Sequence, residues 1–251
     1  MKIFVWILLF LLVINVIAAL ITVFRKPRSI SSVLAWMMTL IFLPGIGFII
    51  YLFCGRGIDG QEVFKLSDDE KQMVQRIKEK VDVDNKKAGR DKRYDLLYDA
   101  KVLNRYFRNM DASPLAKRNS LQLFTDGQEK FQALFEDIRA AKETVHVEYY
   151  AFFNDTIGNQ FLDVLIEKLH EGVEVYLIYD PWGSPGANKK FFARYVDAGG
   201  KVAPFITSRD MIRKTRLNYH LHRKIVVIDG KIGWTGGFNV GDQYLNVTEK
   251  F

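Results

Sequence analysis

Two long stretches without a charged residue limit what the first part of this chain can fold into. Residues 3–24 and residues 31–53 are both uncharged, and a short link with the sequence Arg25-Lys26-Pro27-Arg28 lies between them. A helix needs about 20 apolar residues to cross the hydrocarbon core of a bilayer. The pattern therefore predicts a two-helix transmembrane anchor over residues 1–55.

The charges of the chain are distributed unevenly between this anchor and the rest. The 251 residues carry 36 Lys and Arg against 29 Asp and Glu, a net charge of +7. Residues 1–55 hold four of the basic residues and no acidic one, so the other 196 residues carry 32 basic against 29 acidic side chains. A part so weakly basic argues against a nucleic-acid partner. The single cysteine excludes a disulfide scaffold.

The first uncharged run has one alternative interpretation, a cleaved signal peptide. Its apolar stretch is longer than the usual core of a signal peptide, and a second run follows at once, so we predict a multi-pass protein of the cell membrane. The membrane side on which the catalytic part lies is left open. The three basic residues of the link favour a cytoplasmic link, whereas basic residues at the two ends of the anchor favour the opposite orientation. Those at the ends are Lys2, Arg56, Lys65 and Lys71.

The segment from 56 to 112 is predicted to be a charged linker with short amphipathic helices. Apolar residues recur in it at helical spacing. These residues are Met73, Ile77 and Val81, then Leu96, Ala100 and Leu103.

Residues 113–251 show alternating helix and strand patterns, which are typical of an α/β domain whose sheet is covered by helices. Asp126 and Glu129 predict a capping box that opens a helix. The predicted helices are 126–142, 157–170 and 189–197, and the predicted strands are 144–152, 173–179, 201–206, 224–229 and 232–235. The last two strands flank Gly230-Lys231, which predicts a hairpin.

The strand that begins at Lys224 follows a histidine with unusual neighbours. Side chains two apart on a strand share a face, so His222 and Lys224 are expected to point the same way, with Ile225 and Val227 in the core. A neutral imidazole beside a fixed ammonium suits nucleophilic attack on phosphorus, because the cation offsets charge on the phosphate oxygens.

Further positions complete this predicted phosphate site. Asn239 follows Gly236-Gly237, and glycines allow the backbone to approach the phosphate closely. Asp229 is expected to fix the tautomer of a histidine.

Simpler interpretations apply to several of these residues. His222 alone suits a buried structural histidine, and His220 with His222 makes a His-x-His pair that no cysteine or third histidine completes as a metal site. We therefore predict no metal. His220 and Glu148 are candidates for positions beside the reacting groups, although a structural role explains Glu148 equally well.

The spacing from His222 to Asn239 resembles the HKD motif of the phospholipase D superfamily. Other segments are similar to the bacterial cardiolipin synthases, so that the resemblance covers essentially the whole chain. These segments are residues 43–47, 145–150, 172–175, 179–180 and 237–244.

This resemblance implies a phospholipase D-like α/β/α half-domain with a mixed sheet over 113–251. It implies phosphatidyl transfer between two phosphatidylglycerol molecules, with anionic phospholipids and the membrane as partners and no cofactor. His222 would be the nucleophile, Lys224, Asn239 and Gly237 would bind phosphate, and Asp229 would support the site.

The sequence departs from the family in one respect. Family members build the active site from two HKD motifs, whereas His146, His170 and His220 begin no second His-x-Lys here. The resemblance therefore implies an N-terminal portion of a longer enzyme that is inactive as a monomer, with the missing half or a second copy as partner. A phospholipase D-type hydrolase, a nuclease and an inactive membrane remnant are the alternatives.

Overall fold

The computed structural model describes residues 29–43, 45–55, 67–87, 119–206 and 220–245, with single positions before residue 22 and between 102 and 106. The chain divides into two compact units, Met1–Asp59 with Phe124–Phe251, and Gly60–Leu123. The described helices are α1 (Ile30–Phe42), α2 (Ile46–Ile50), α3 (Asp68–Lys87), α4 (Gly127–Ala140), α5 (Thr156–His170) and α6 (Ala193–Asp197). The described strands are β1 (Thr144–Tyr149), β2 (Glu174–Tyr179), β3 (Lys201–Pro204), β4 (Lys224–Ile228) and β5 (Ile232–Thr235).

The five strands form one mixed sheet in the order β3-β2-β1-β4-β5. The central strand β1 pairs in parallel with β2 and antiparallel with β4. Apolar side chains of α4 and α5 pack with one face of this sheet to form the core. The structure therefore confirms the predicted α/β class with a mixed sheet and covering helices.

Local signals in the sequence place the ends of several elements correctly. The carboxylate of Asp126 accepts a hydrogen bond from the Glu129 amide at 3.0 Å, so α4 begins where its cap predicts. Asp229 and Gly230 have φ angles of 50° and 62°. Two successive positive φ angles are those of the type I′ turn that suits a two-stranded hairpin, and β4 and β5 are joined in this way.

The faces of β4 differ from the prediction. Lys224, Val226 and Ile228 are buried, whereas Ile225 and Val227 are only half-buried. The expectation that Ile225 and Val227 point into the core is therefore wrong. The strand has aliphatic side chains on both faces, so its alternation does not show which face the helices cover.

The second uncharged run is not one helix. α1 ends at Phe42, α2 begins at Ile46, and a π-helical turn follows over Tyr51–Gly55. Among the residues that the structure describes, no helix has both the length and the hydropathy that crossing a membrane requires.

The other unit, Gly60–Leu123, contains α3. Ser67 and Glu70 form a reciprocal capping box at its start, with the Ser67 amide 2.6 Å from the Glu70 carboxylate and the Glu70 amide 3.3 Å from the Ser67 hydroxyl. The predicted helical positions Met73, Ile77 and Val81 all lie in α3. The predicted positions Leu96 and Ala100 lie outside the described residues.

Candidate active site

The candidate site lies at one edge of the sheet, where β1 and β2 end and β4 begins. The amide of Tyr150, just after β1, donates to the carbonyl of Arg223, just before β4, at 2.9 Å. The carboxyl ends of neighbouring parallel strands are a usual place for ligand sites in α/β sheets. His222 is brought to this edge because it lies two residues before the start of β4.

His222 and Lys224 lie together, as their spacing predicts. The Nζ atom of Lys224 is 3.5 Å from Nδ1 of His222 and 3.5 Å from its carbonyl oxygen. The His222 side chain is exposed, while Lys224 is only 7% exposed. The site therefore presents a solvent-exposed imidazole beside a buried ammonium group.

The positive charge of Lys224 is not balanced by an ion pair with any carboxylate that the structure describes. Within the described part of the chain, no carboxylate forms an ion pair with its ammonium group. Burial lowers the pKa of Lys224, because an ammonium group is less stable away from water. An anion bound beside His222 would restore the missing counter-charge.

Tyr150 forms an aromatic wall of the site that the sequence analysis did not single out. Its ring centroid lies 4.6 Å from that of His222, and the ammonium of Lys224 is 5.1 Å from the same ring. A side chain at Gly183 would collide with the Tyr150 carbonyl and ring, so glycine there leaves room for the tyrosine. The signal available in the sequence was an aromatic residue near the end of a predicted strand.

Asp180 holds the segment that leads into His222. Its carboxylate is almost fully buried and accepts from the Leu221 amide at 2.8 Å and from the Trp182 amide at 2.9 Å. Nδ1 of His220 lies 3.4 Å from the same carboxylate. The structure therefore places His220 next to Asp180, where the pair positions the backbone one residue before His222.

Asn239 reaches the site edge but already has two partners. Its side-chain carbonyl accepts from the Ala151 amide at 3.1 Å, and its amide group donates to the Tyr244 hydroxyl at 2.6 Å. One amide hydrogen remains for a ligand. Gly236 and Gly237 have open space where a Cβ would be, so the chain itself does not require glycine at either position.

Asp229 is not brought to His222. It lies at the other end of β4, where its carboxylate accepts three backbone hydrogen bonds of 2.8–2.9 Å from the amides of Lys142, Glu143 and Thr144. These bonds hold its pKa below the ordinary value of a carboxyl group. Because β4 is extended, an acid at this spacing ties the hairpin to the start of β1 and does not fix the tautomer of a histidine.

Glu148 also lies apart from His222 and Lys224. It pairs with Ile225 across β1 and β4, on the face opposite to Lys224, and no hydrogen bond or ion pair between described residues joins it to His222 or Lys224. In the same described region, no group of three His, Cys, Asp or Glu side chains could hold a metal ion.

Two family models match this chain. The model described as "Cardiolipin synthase, PLD-like domain" matches residues 134–249, and "Phospholipase_D-nuclease N-terminal" matches residues 13–56. A solved structure of NucT from Helicobacter pylori aligns with 52% of this chain and 80% of its own, at 22% identity and a TM-score of 0.39.

Curated relatives resemble nearly the whole chain. A cardiolipin synthase of Listeria monocytogenes is 39% identical over 98% of this chain and 51% of its own length. A cardiolipin synthase of Staphylococcus aureus is 38% identical over 95% of this chain and 48% of its own length. The chain thus spans about half the length of these curated relatives.

Proposed function

We propose, from the match of residues 134–249 to the family model of the PLD-like cardiolipin synthase domain, that the chain supplies one half of a phosphatidyl-transfer site. The proposed reaction joins two phosphatidylglycerol molecules and yields cardiolipin and glycerol. The observation that supports it most is the buried ammonium of Lys224, which lies 3.5 Å from Nδ1 of the exposed His222 and forms no ion pair with any described carboxylate.

The proposed first step is attack by a ring nitrogen of His222 on the phosphorus of one phosphatidylglycerol. A nitrogen–phosphorus bond forms, the bond from phosphorus to the glycerol oxygen breaks, and the glycerol oxygen takes up a proton. Lys224 and the remaining amide hydrogen of Asn239 stabilise the phosphate oxygens. A hydroxyl of a second phosphatidylglycerol then attacks the phosphatidyl-histidine, loses its proton, and releases cardiolipin and His222.

The proton for the departing glycerol needs a second group. His222 cannot donate it, since the same imidazole is occupied as the nucleophile, and the 251 residues contain no other His-x-Lys. We infer that the general acid is a histidine of a second HKD motif, which in a preparation of this chain alone would be the His222 of a second copy. One copy alone would therefore bind substrate without efficient turnover.

The proposed division of the chain follows from this chemistry. Residues 1–55 anchor it in the cell membrane, residues 56–112 link the anchor to the catalytic part, and residues 113–251 carry the site. Tethering to the bilayer raises the effective concentration of a lipid headgroup around His222. Anionic phospholipids are thus both the environment and the substrate.

Product analysis of the reconstituted chain tests the proposal. The full chain is placed in phosphatidylglycerol vesicles at several protein densities, and cardiolipin, phosphatidic acid and glycerol are measured by mass spectrometry. We expect equal amounts of cardiolipin and glycerol at high density, and their loss in the His222→Ala variant.

The matched control is His170→Ala, which removes an exposed histidine at the end of α5. It should leave the product yield unchanged. Phosphatidic acid in place of cardiolipin would identify a hydrolase, and cardiolipin formation by His222→Ala would overturn the assignment of the nucleophile.

A further inference from the structure

The second uncharged run reverses direction near its middle. α1 ends at Phe42, and Gly45 has a φ of 81°, a left-handed conformation that glycine adopts without strain. From there α2 and the π-helical turn at Tyr51–Gly55 lead back along α1. We call residues 29–55 the re-entrant hairpin.

Side-chain contacts show that the two arms of the hairpin are antiparallel. Gly47 packs so closely against α1 that an added Cβ would collide with the Thr39 carbonyl oxygen and lie 3.2 Å from Cα of Leu40. Farther from the turn, the rings of Trp36 and Tyr51 meet edge to face at 5.1 Å. A later residue in one arm therefore contacts an earlier residue in the other, which is possible only if the chain has folded back.

The arms are too short to cross a bilayer. The 13 residues of α1 span about 20 Å at about 1.5 Å per residue, whereas the hydrocarbon core is about 30 Å thick. Because the second arm folds back along α1, it does not add to the depth that the hairpin can reach in the bilayer.

The outer surface of the hairpin is nevertheless suited to lipid. Residues 29–55 contain no charged side chain, and basic residues stand just before and after them in the sequence. An exposed apolar surface of this kind marks contact with a membrane or with another protein. The exposed apolar side chains on it include Ile30, Leu34, Met38, Phe42, Ile46 and Ile49.

Three described amides at the turn between the arms have hydrogen-bond partners, as an apolar environment requires of backbone polar groups. The Leu43 amide donates to the Thr39 carbonyl at 3.1 Å, and the Gly47 amide donates to the Leu43 carbonyl at 2.6 Å. The Gly45 carbonyl accepts from the Ile49 amide at 3.1 Å.

We propose that the re-entrant hairpin enters the bilayer and leaves it on the same face, with lipid tails covering its apolar surface. This inference rests on the membrane-bound part of the proposed function and changes its topology. The basic link before residue 29 and the chain after residue 55 then lie on one side, whereas two crossing helices would place them on opposite sides.

Single-cysteine labelling of the full chain tests the proposed topology. The only native cysteine is Cys54, so a Cys54→Ser background allows one new thiol, either Lys26→Cys or Ile58→Cys. Each variant is labelled with a membrane-impermeant maleimide in intact cells and in inverted vesicles, and in detergent as a control for complete reaction. We expect both positions to be labelled in the same preparation; labelling in opposite preparations would overturn the proposal.

The occupant of the apolar surface is tested with a photoreactive amino acid at Met38 or Ile49, which are 62% and 58% exposed. Illumination in membranes is expected to produce phospholipid adducts at both positions. Crosslinking to a second copy, or recovery of the chain in the soluble fraction, would overturn the lipid assignment. Neither readout requires catalysis, so a failed product assay leaves this inference standing and the reverse also holds.

Discussion

Lys224 has one property that the sequence predicts, its contact with His222, and one that only the fold determines, its burial. Its position two residues after His222 predicts the contact between the two side chains, and that contact is found. Its burial is a tertiary property, because the side chain shares a face of β4 with Val226 and Ile228. The sequence therefore predicted which groups meet but not how far the ammonium is withdrawn from water.

Replacing Lys224 should remove most of the phosphate stabilisation. We expect Lys224→Gln to reduce cardiolipin formation by about 10²–10³, the usual cost of losing one group that stabilises transition-state charge. The measurement is the initial rate in phosphatidylglycerol vesicles at a density where the unmodified chain turns over.

Lys231→Gln is the control for this substitution, since Lys231 is exposed in the turn before β5. A Lys224→Gln variant that keeps the rate of the Lys231→Gln control would show that the ammonium does not contact the reacting phosphate.

Asp229 is expected to influence stability and not the chemical step. Its pKa is lowered in the folded chain by three backbone donors, so its stabilising effect is present at neutral pH and is lost as the pH falls through that pKa. We expect Asp229→Asn to melt a few degrees below the unmodified chain at pH 7, with the difference narrowing in acid.

Thermal unfolding followed by circular dichroism across this pH range measures the effect of Asp229→Asn. An unchanged melting temperature together with a large loss of cardiolipin synthesis would show that Asp229 acts in the chemical step.

At the scale of whole elements, local sequence signals predicted where elements begin and end, but they did not predict which face of a strand is buried. The cap at Asp126 and the Asp229-Gly230 turn fix where α4 begins and where β4 reverses, because both act through neighbouring backbone groups. The face of β4 depends on which side α4 and α5 cover, and both faces of that strand are aliphatic. The sequence predicted the roles of Tyr150 and Asp180 least well, since these residues contact the segment around His222 only when the ends of separate strands meet in the fold.

The packing of α4 on the sheet buries an amine that should make stability depend on pH. Lys130 is buried, donates to the Tyr149 hydroxyl at 2.9 Å, and has its pKa lowered by desolvation to about 7. Between that value and the ordinary pKa of lysine, the unfolded chain binds more protons than the folded chain, so stability rises with pH.

Urea unfolding of the full chain in detergent at pH 6.5 and pH 9 measures this rise. Relative to Lys130→Met, the unmodified chain should gain about 1–3 kcal/mol over this interval, at about 1.4 kcal/mol per unit of pKa difference. Parallel pH dependence in the two proteins would mean that Lys130 keeps its proton when folded.

At the scale of the whole molecule, the apolar runs predicted a membrane segment, but they did not predict whether the second run continues in one direction or folds back. Length and lack of charge are properties of the sequence, whereas the return of the second run depends on the contact of Gly47 with α1. Two crossing helices therefore remain the interpretation of residues 1–55 that the sequence favours, and the re-entrant hairpin is the one that the packing favours.

A site that needs two copies should show a steep dependence on protein density. Since each copy supplies a single His-x-Lys, the initial rate of cardiolipin formation is expected to rise with about the square of the surface density of the chain while most copies are monomeric. Replacing a fraction of the copies with His222→Ala should lower the rate by more than that fraction, because a mixed pair lacks one of the two histidines. A rate proportional to density, down to verified monomers, would contradict the shared site.

The most direct test of the account is to find the atom that carries the phosphatidyl group during the reaction. The full chain in phosphatidylglycerol vesicles is quenched under conditions that preserve phosphohistidine, digested, and analysed by mass spectrometry, with His222→Ala and His170→Ala in parallel. We predict a phosphatidyl adduct on His222 that His170→Ala retains and His222→Ala lacks. Cardiolipin formation with the adduct on another residue, or with no adduct at all, would contradict the account.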